Sequence, residues 1–308
     1  MVDAIAHITV GVADLRAVFD LWIGHFGLEI VARRTGSDPG LGKLWDIPAE
    51  HIADQVLVRT PGATAGWLHF VQFNGPVSAV REGAAATDLG PKNLDVNCFD
   101  MDVRYEQLQA QGQHFRSEIV EYRIDDVHAR EVQMPGHDET NIVLIEILSD
   151  GYDIEFSPAG FGGVTSFVVV VSDTIEEARF YRDVFDLDEV MHHRIAGAAI
   201  EKAVGLPAGS ALDLRLMGRE RHIFGRMELI SYVGLTGLNR FPLARAPALG
   251  TLHCGFAVDS VPETLENARR AGLAASEFED IETIFGTGHM GVLQSPAGLR
   301  VEAYHRPR

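Results

Sequence analysis

The sequence predicts an α+β fold of four βαβββ modules whose short strands gather into curved, mixed β-sheets. An internal repeat leads there first. Shifted by 159 residues, residues 7–75 lie on residues 166–234 without a gap. Val10, Val12 and Asp14 then meet Val169, Val171 and Asp173, and Phe26, Leu28 and Val31 meet Phe185, Leu187 and Val190. Pro48 and Ala49 meet Pro207 and Ala208, and Gly66 and Gly75 meet Gly225 and Gly234. The identities fall at strand ends, turns and apolar positions, as a duplication requires. A weaker correspondence sets Leu94 and Asp95 on Leu252 and His253, and Pro135 on Pro296.

Each module then shows one order of signals. An alternating strand opens it (AHITVGV, LDVNCF, SFVVVV, LHCGFAV). In the first and third modules that strand runs into an Asp- or Ser-marked helix start, VADLRAVFDLWIGHFG and VSDTIEEARFYRDVFD. Three short strands follow, the last being WLHFVQF, IVLIEIL, MELISYV or RVEAY. The chain divides into two pseudo-symmetric halves, residues 1–150 and 160–308, with the Gly- and Pro-rich SPAGFGGV at 157–164 expected as a linker.

Composition bounds the function. A formal charge of -18 over 308 residues opposes affinity for nucleic acid, which needs clustered Lys and Arg. The N-terminus lacks a basic stretch followed by an apolar one, and no apolar run reaches the roughly 18 residues that span a bilayer. A cytoplasmic location is therefore expected, with no membrane partner. The two cysteines, Cys98 and Cys254, are too few for a disulfide framework; both are expected as small core residues.

The openings AHITVGVADL and LHCGFAVDSV, the helix-to-strand passages FGLEIV and FDLDEV, and the closing SPAGLRVEAY resemble the vicinal oxygen chelate superfamily. That superfamily includes glyoxalase I, methylmalonyl-CoA epimerase, fosfomycin-resistance proteins and extradiol dioxygenases. The resemblance covers nearly the whole chain and implies cup-shaped sheets, two modules to a cup. Metal ligands would come from fixed positions on the first and last strands of each module. Here the first-strand positions are His7, Asp95, Ser166 and His253. The last-strand positions are His69, either Glu146 or Val143, Glu228 and Glu302. Pairing modules 1 and 4 brings His7, His69, His253 and Glu302 together as ligands of one divalent ion. Pairing modules 3 and 4 would put Ser166, a poor ligand, beside Glu228, His253 and Glu302. The cup of modules 2 and 3 is expected to be empty or structural.

The residue pattern supports this independently. Period-2 alternation puts His7, Thr9 and Gly11 on one strand face, and Arg300, Glu302 and Tyr304 on another. An ionised Glu on a buried face needs a cation or a donor to compensate it. His69 is a fourth ligand, a proton carrier or a core residue. His289 and Tyr304 are further candidates for proton transfer or substrate contact.

Three activities follow from the resemblance. With four protein ligands the chain would be a non-redox lyase or isomerase of the glyoxalase or epimerase type, carrying Zn, Ni, Co or Mn. With His7, His253 and Glu302 alone it would be an Fe(II) ring-cleaving dioxygenase of the extradiol type. Against the latter, Val292 stands where the extradiol pattern carries Tyr, and His289 lies closer to Glu302 than that pattern's His does. The third is a metal-free binding or resistance protein. The expected partner is a small-molecule substrate bound through adjacent oxygens, and the sequence leaves open a homodimer.

Overall fold

The computed structural model describes residues 2–305 except 76, 125 and 221. The first module comprises β1 (His7–Val12), α1 (Leu15–Val18), β2 (Glu29–Thr35), α2 (Pro39–Trp45), β3 (Ile52–Arg59) and β4 (Trp67–Phe73). The second holds β5 (Gly90–Cys98), α3 (Met101–Ala110), β6 (Val120–Ile124), β7 (Val127–Pro135) and β8 (Asn141–Ile147). The third holds β9 (Phe161–Val170), α4 (Thr174–Phe185), β10 (Asp188–Ala196), α5 (Ala198–Val204), β11 (Ala211–Gly218) and β12 (Arg226–Val233). The fourth holds β13 (Gly250–Val258), α6 (Val261–Arg270), β14 (Ala275–Thr283), β15 (Gly286–Gln294) and β16 (Arg300–His305).

The repeat is visible at residue resolution. The shift of 159 carries α2 onto α5 and β3 onto β11, end to end. It also carries the N-cap of α1 onto that of α4. Asp14 accepts from the backbone N–H of Arg16, and Asp173 from those of Ile175 and Glu176, so the same carboxylate satisfies the same orphan donors in both modules.

Two eight-stranded sheets result, in the orders β14-β15-β16-β13-β1-β4-β3-β2 and β10-β11-β12-β9-β5-β8-β7-β6. Modules 1 and 4 share the first sheet and modules 2 and 3 the second, so each sheet draws four strands from each half of the chain. Alternation sorts the faces. Ile8, Val10, Leu94, Val96, Phe167 and Val169 join one apolar core between the sheets and their helices. The opposite faces line two cups. Leu41, Leu44 and Trp45 of α2 fill much of the first, packed with Phe73, Leu252 and Met290. Cys98 and Cys254 are buried and free.

The second half of the segment expected as a linker is strand. Phe161–Val170 is buried throughout as β9, and Phe161 stacks on Phe26 with ring centroids 4.3 Å apart. The glycines serve close packing rather than flexibility. A Cβ on Gly162 would stand 2.9 Å from that of Asn97, and one on Gly163 3.1 Å from the Phe224 ring.

One contact between modules bears on the site. Glu177 of α4 is 1% exposed and accepts the backbone N–H of Ala297 at 2.9 Å, in the turn that leads into β16. Burial raises its pKa from 4.5 to about 7. The folded protein therefore holds a proton there that the unfolded chain has released, and this contribution to stability falls as pH rises through that interval. Glu177→Gln should abolish it. In urea unfolding, the wild type should lose about 1–3 kcal/mol relative to the variant between about pH 5 and about pH 8. A constant difference would contradict the protonated state.

Candidate metal centre

Strand register builds the centre at the bottom of the first cup. β1 runs parallel to β4 with Thr9 beside His69. It runs antiparallel to β13, with His7 opposite Gly255 and Thr9 opposite His253. β13 in turn lies parallel to β16 with Gly255 beside Glu302. His69, His7, His253 and Glu302 thus come from four adjacent strands, and each is 0% exposed.

Nε2 of His253 lies 3.3 Å from Oε1 of Glu302, and Nε2 of His7 lies 3.9 Å from Oε2. Gly255 makes this approach possible. A Cβ there would stand 2.2 Å from Cε1 of His7 and 2.8 Å from both its ring nitrogens. The missing side chain is the space that the imidazole occupies between β1 and β16.

The carboxylate has two unlike oxygens. Oε1 accepts from Trp45 Nε1 at 2.8 Å and from Arg300 Nε at 3.2 Å. Oε2 has no hydrogen-bond partner, nor has either ring nitrogen of His7 or of His253. Five orphaned polar atoms in one dry place are costly unless something absent from the polypeptide satisfies them.

Protonation follows from burial. Desolvation lowers the pKa of His7 to about 3, and those of His253 and His69 also fall. For Glu302 burial acts in the opposite direction, but His253, Arg300 and His7 outweigh it and hold the acid below its usual range. Neutral imidazoles beside an ionised carboxylate are the states in which these groups bind metal.

The residues fit a metal ion in type and reach. Two donors that each stand about 2.1 Å from one ion can be at most about 4.2 Å apart, and both nitrogen–oxygen separations lie within that limit. As the side chains stand, no three ligand-type groups among the described residues close round one point. Phe285, in the turn between β14 and β15, stacks on His7 with centroids 4.1 Å apart, so the centre is capped.

His69, expected as a fourth ligand, is in the cup but engaged elsewhere. Its Nε2 lies 3.0 Å from Gln55 Oε1, and its Nδ1 lies 3.4 Å from Thr9 Oγ1. Gln55 is oriented by Asp38, which accepts its amide N–H at 2.7 Å and caps α2 by accepting from Leu41 at 2.9 Å. This leaves Nε2 of His69 as donor and Nδ1 as the basic nitrogen.

His289, expected as a catalytic residue, lies on the strand face away from the cup. Its neighbour Met290 packs into the cup, so strand alternation turns His289 to the other face, where it lies 2.8 Å from Glu277. Tyr304 does line the cup, its ring 5.6 Å from that of His7 and 5.4 Å from that of Phe285.

In the second cup, β5 and β8 set Asn97 beside Ile145, as β13 and β16 set Gly255 beside Glu302. Ile145, not Glu146 or Val143, therefore stands in the position of Glu302. Glu146 faces outward, accepting from Asp100 N at 3.0 Å and Arg130 at 3.2 Å. That cup, expected to be empty or structural, holds a cavity of about 330 Å³.

No protein-family model and no curated protein matches the sequence. Solved structures match it along its length. Glyoxalase I of Zea mays superposes with a TM-score of 0.64 at 12% identity, over 98% of this chain and 92% of that one. A point mutant of the same maize enzyme, in another crystal, gives a TM-score of 0.67 at 13% identity, over 98% and 92%. A candidate dioxygenase of Bacillus subtilis gives 0.62 at 13% identity, over 100% and 86%. Both kinds of protein belong to the vicinal oxygen chelate superfamily. The chain has the vicinal oxygen chelate fold. Trp45, Gln55, Phe285 and Gly255 shape its candidate centre, and the motifs did not mark them. Only Gln55, a polar residue inside the apolar IADQVLV, carried a sequence signal.

Gly255→Ala should displace the His7 ring and lower metal affinity about ten-fold or more, while Gly288→Ala, whose Cβ would meet nothing within 4 Å, should not. Metal titration of the two variants checks this. Equal affinities would show that the Gly255 cradle does not position a ligand.

Proposed function

We propose that this chain is a metal-dependent enzyme in which His7, His253 and Glu302 hold one divalent ion, and that it performs non-redox proton transfer on a small substrate bound through adjacent oxygens. The observation that carries it is the set of orphaned atoms: four imidazole nitrogens and one carboxylate oxygen, all buried, with Nε2 of each ring within 3.9 Å of the Glu302 carboxylate. A bound ion would supply positive charge against which substrate oxygens can become negative as a carbon loses its proton.

The chain's own groups would do the rest. His69, neutral and held by Gln55 and Thr9, offers Nδ1 as proton acceptor within the same cup, its ring 6.1 Å from that of His7. The Trp45 and Arg300 donors fix the Glu302 carboxylate and keep it ionised. Trp45, Phe285 and Tyr304 wall the site with aromatic surface and exclude water, which strengthens every charge interaction inside. Phe285 must leave His7 to admit a substrate, and its place in a two-residue turn gives it the freedom to do so. These roles suit a lyase or isomerase of the glyoxalase type.

A second reading, ring cleavage by an Fe(II) dioxygenase, is favoured by one feature. With both nitrogens of His69 engaged, three ligands remain, two His and one carboxylate, and the open side faces aromatic rings that could stack a dihydroxyaromatic. Metal analysis and oxygen uptake separate the two. The first reading predicts zinc, nickel, cobalt or manganese and no oxygen consumption. Iron, with oxygen uptake on catechols or hydroquinones, would establish the second. In either case Glu302→Gln should lower bound metal about ten-fold or more with the fold retained by circular dichroism; undiminished metal would remove Glu302 from the centre.

A further inference from the structure

The second cup differs from the first in its chemistry. Its cavity of about 330 Å³ is bounded by apolar side chains, among them Val120, Ile145, Val168, Leu212, Leu214 and Ile230. Set among these are three acids, Asp95 on β5, Glu131 on β7 and Glu228 on β12, with Lys92 on β5. Asp95 is 4% exposed and lines the cavity, and its Oδ1 has no hydrogen-bond partner. Asp95 and Glu228 are close enough to share a hydrogen bond, as are Glu131 and Tyr122.

The ligand set of the first cup is not repeated on this floor. Ser166 holds the position of His7, and Ile145 that of Glu302, so the imidazole and carboxylate of the first cup are missing. An anion suits the floor poorly, because it would face three acids. Of the three cations in the lining, Lys92 is turned to the Tyr232 hydroxyl, to which it donates. Arg226 is held by the carbonyls of His222 at 2.9 Å and Glu220 at 3.3 Å, and Arg123 is exposed.

We propose that the second cup binds a small organic ammonium, its N–H groups taken by Asp95, Glu228 and Glu131 and its apolar body by the aliphatic walls. An ammonium presents three donors, which match the free oxygen of Asp95 and the two neighbouring carboxylates. The desolvated setting strengthens each contact. Burial raises the pKa of Asp95 and Glu131, and that of Glu228 to about 7. The empty cup therefore keeps a proton between Asp95 and Glu228 that the cation displaces. Lys92, whose pKa burial lowers to about 7, opposes a second cation least when neutral.

Calorimetric titration of the full chain near neutral pH tests this with three probes of like shape: phenethylamine, phenethyl alcohol and hydrocinnamate. The amine should bind about ten-fold or more tighter than the alcohol, with hydrocinnamate weakest. Its binding heat should change with buffer ionisation enthalpy, as proton release requires. Asp95→Asn and Glu228→Gln should each weaken the amine about ten-fold and leave the alcohol unchanged. Leu214→Trp, which fills the cavity without touching the acids, should weaken both. Equal binding of amine and alcohol, preference for hydrocinnamate, no saturable binding of any probe, or amine binding that survives Leu214→Trp would each overturn the proposal. Metal content of the first cup should be the same in all three variants.

Discussion

An ionised carboxylate buried at the bottom of an apolar cup is the constraint on which the first site depends. Glu302 is 0% exposed, and an isolated charge so placed costs several kcal/mol. Trp45 and Arg300 compensate one oxygen. The other lies 3.9 Å from Nε2 of His7, whose pKa burial lowers to about 3, and it has no hydrogen-bond partner. Polypeptide alone leaves the group half-satisfied, and the cation proposed above would complete it.

The fold supplies that arrangement through pairing across the repeat. Because modules 1 and 4 share a sheet, the opening strands of two distant modules become neighbours, and their histidines meet between two closing strands. Pairing modules 2 and 3 makes a second cup by the same rule but with different side chains. Ser166, Asp95 and Ile145 replace His7, His253 and Glu302 there, and the cavity that remains is lined by acids and aliphatics. One duplicated backbone thus carries two cups with different linings.

Much of this was legible in the sequence because strand alternation is local. His7 and Glu302 could be assigned to cup faces from their neighbours, and the shift of 159 aligned the first and third modules, though the additional helices α2 and α5 within them went unread. What was illegible depended on register or on distant elements. The position equivalent to Glu302 in module 2 is set by how β8 pairs with β5, which the extra residues in MPGHDETNIVLIEIL obscured. Trp45 and Phe285 reach the centre from a helix and a hairpin turn whose approach no local pattern encodes. SPAGFGGV reads as a linker by composition, yet its glycines are there for close contact. His289 follows a different logic: its residue type invited a catalytic role, and the parity of β15 denied it.

Locating the ion itself tests the central claim most directly. Anomalous diffraction from crystals grown with a bound transition metal should give one strong peak within about 2.0–2.2 Å of Nε2 of His7, Nε2 of His253 and a Glu302 oxygen. A peak bound instead by Asp95 and Glu228, or a first cup whose imidazoles stay unligated at saturating metal, would contradict it.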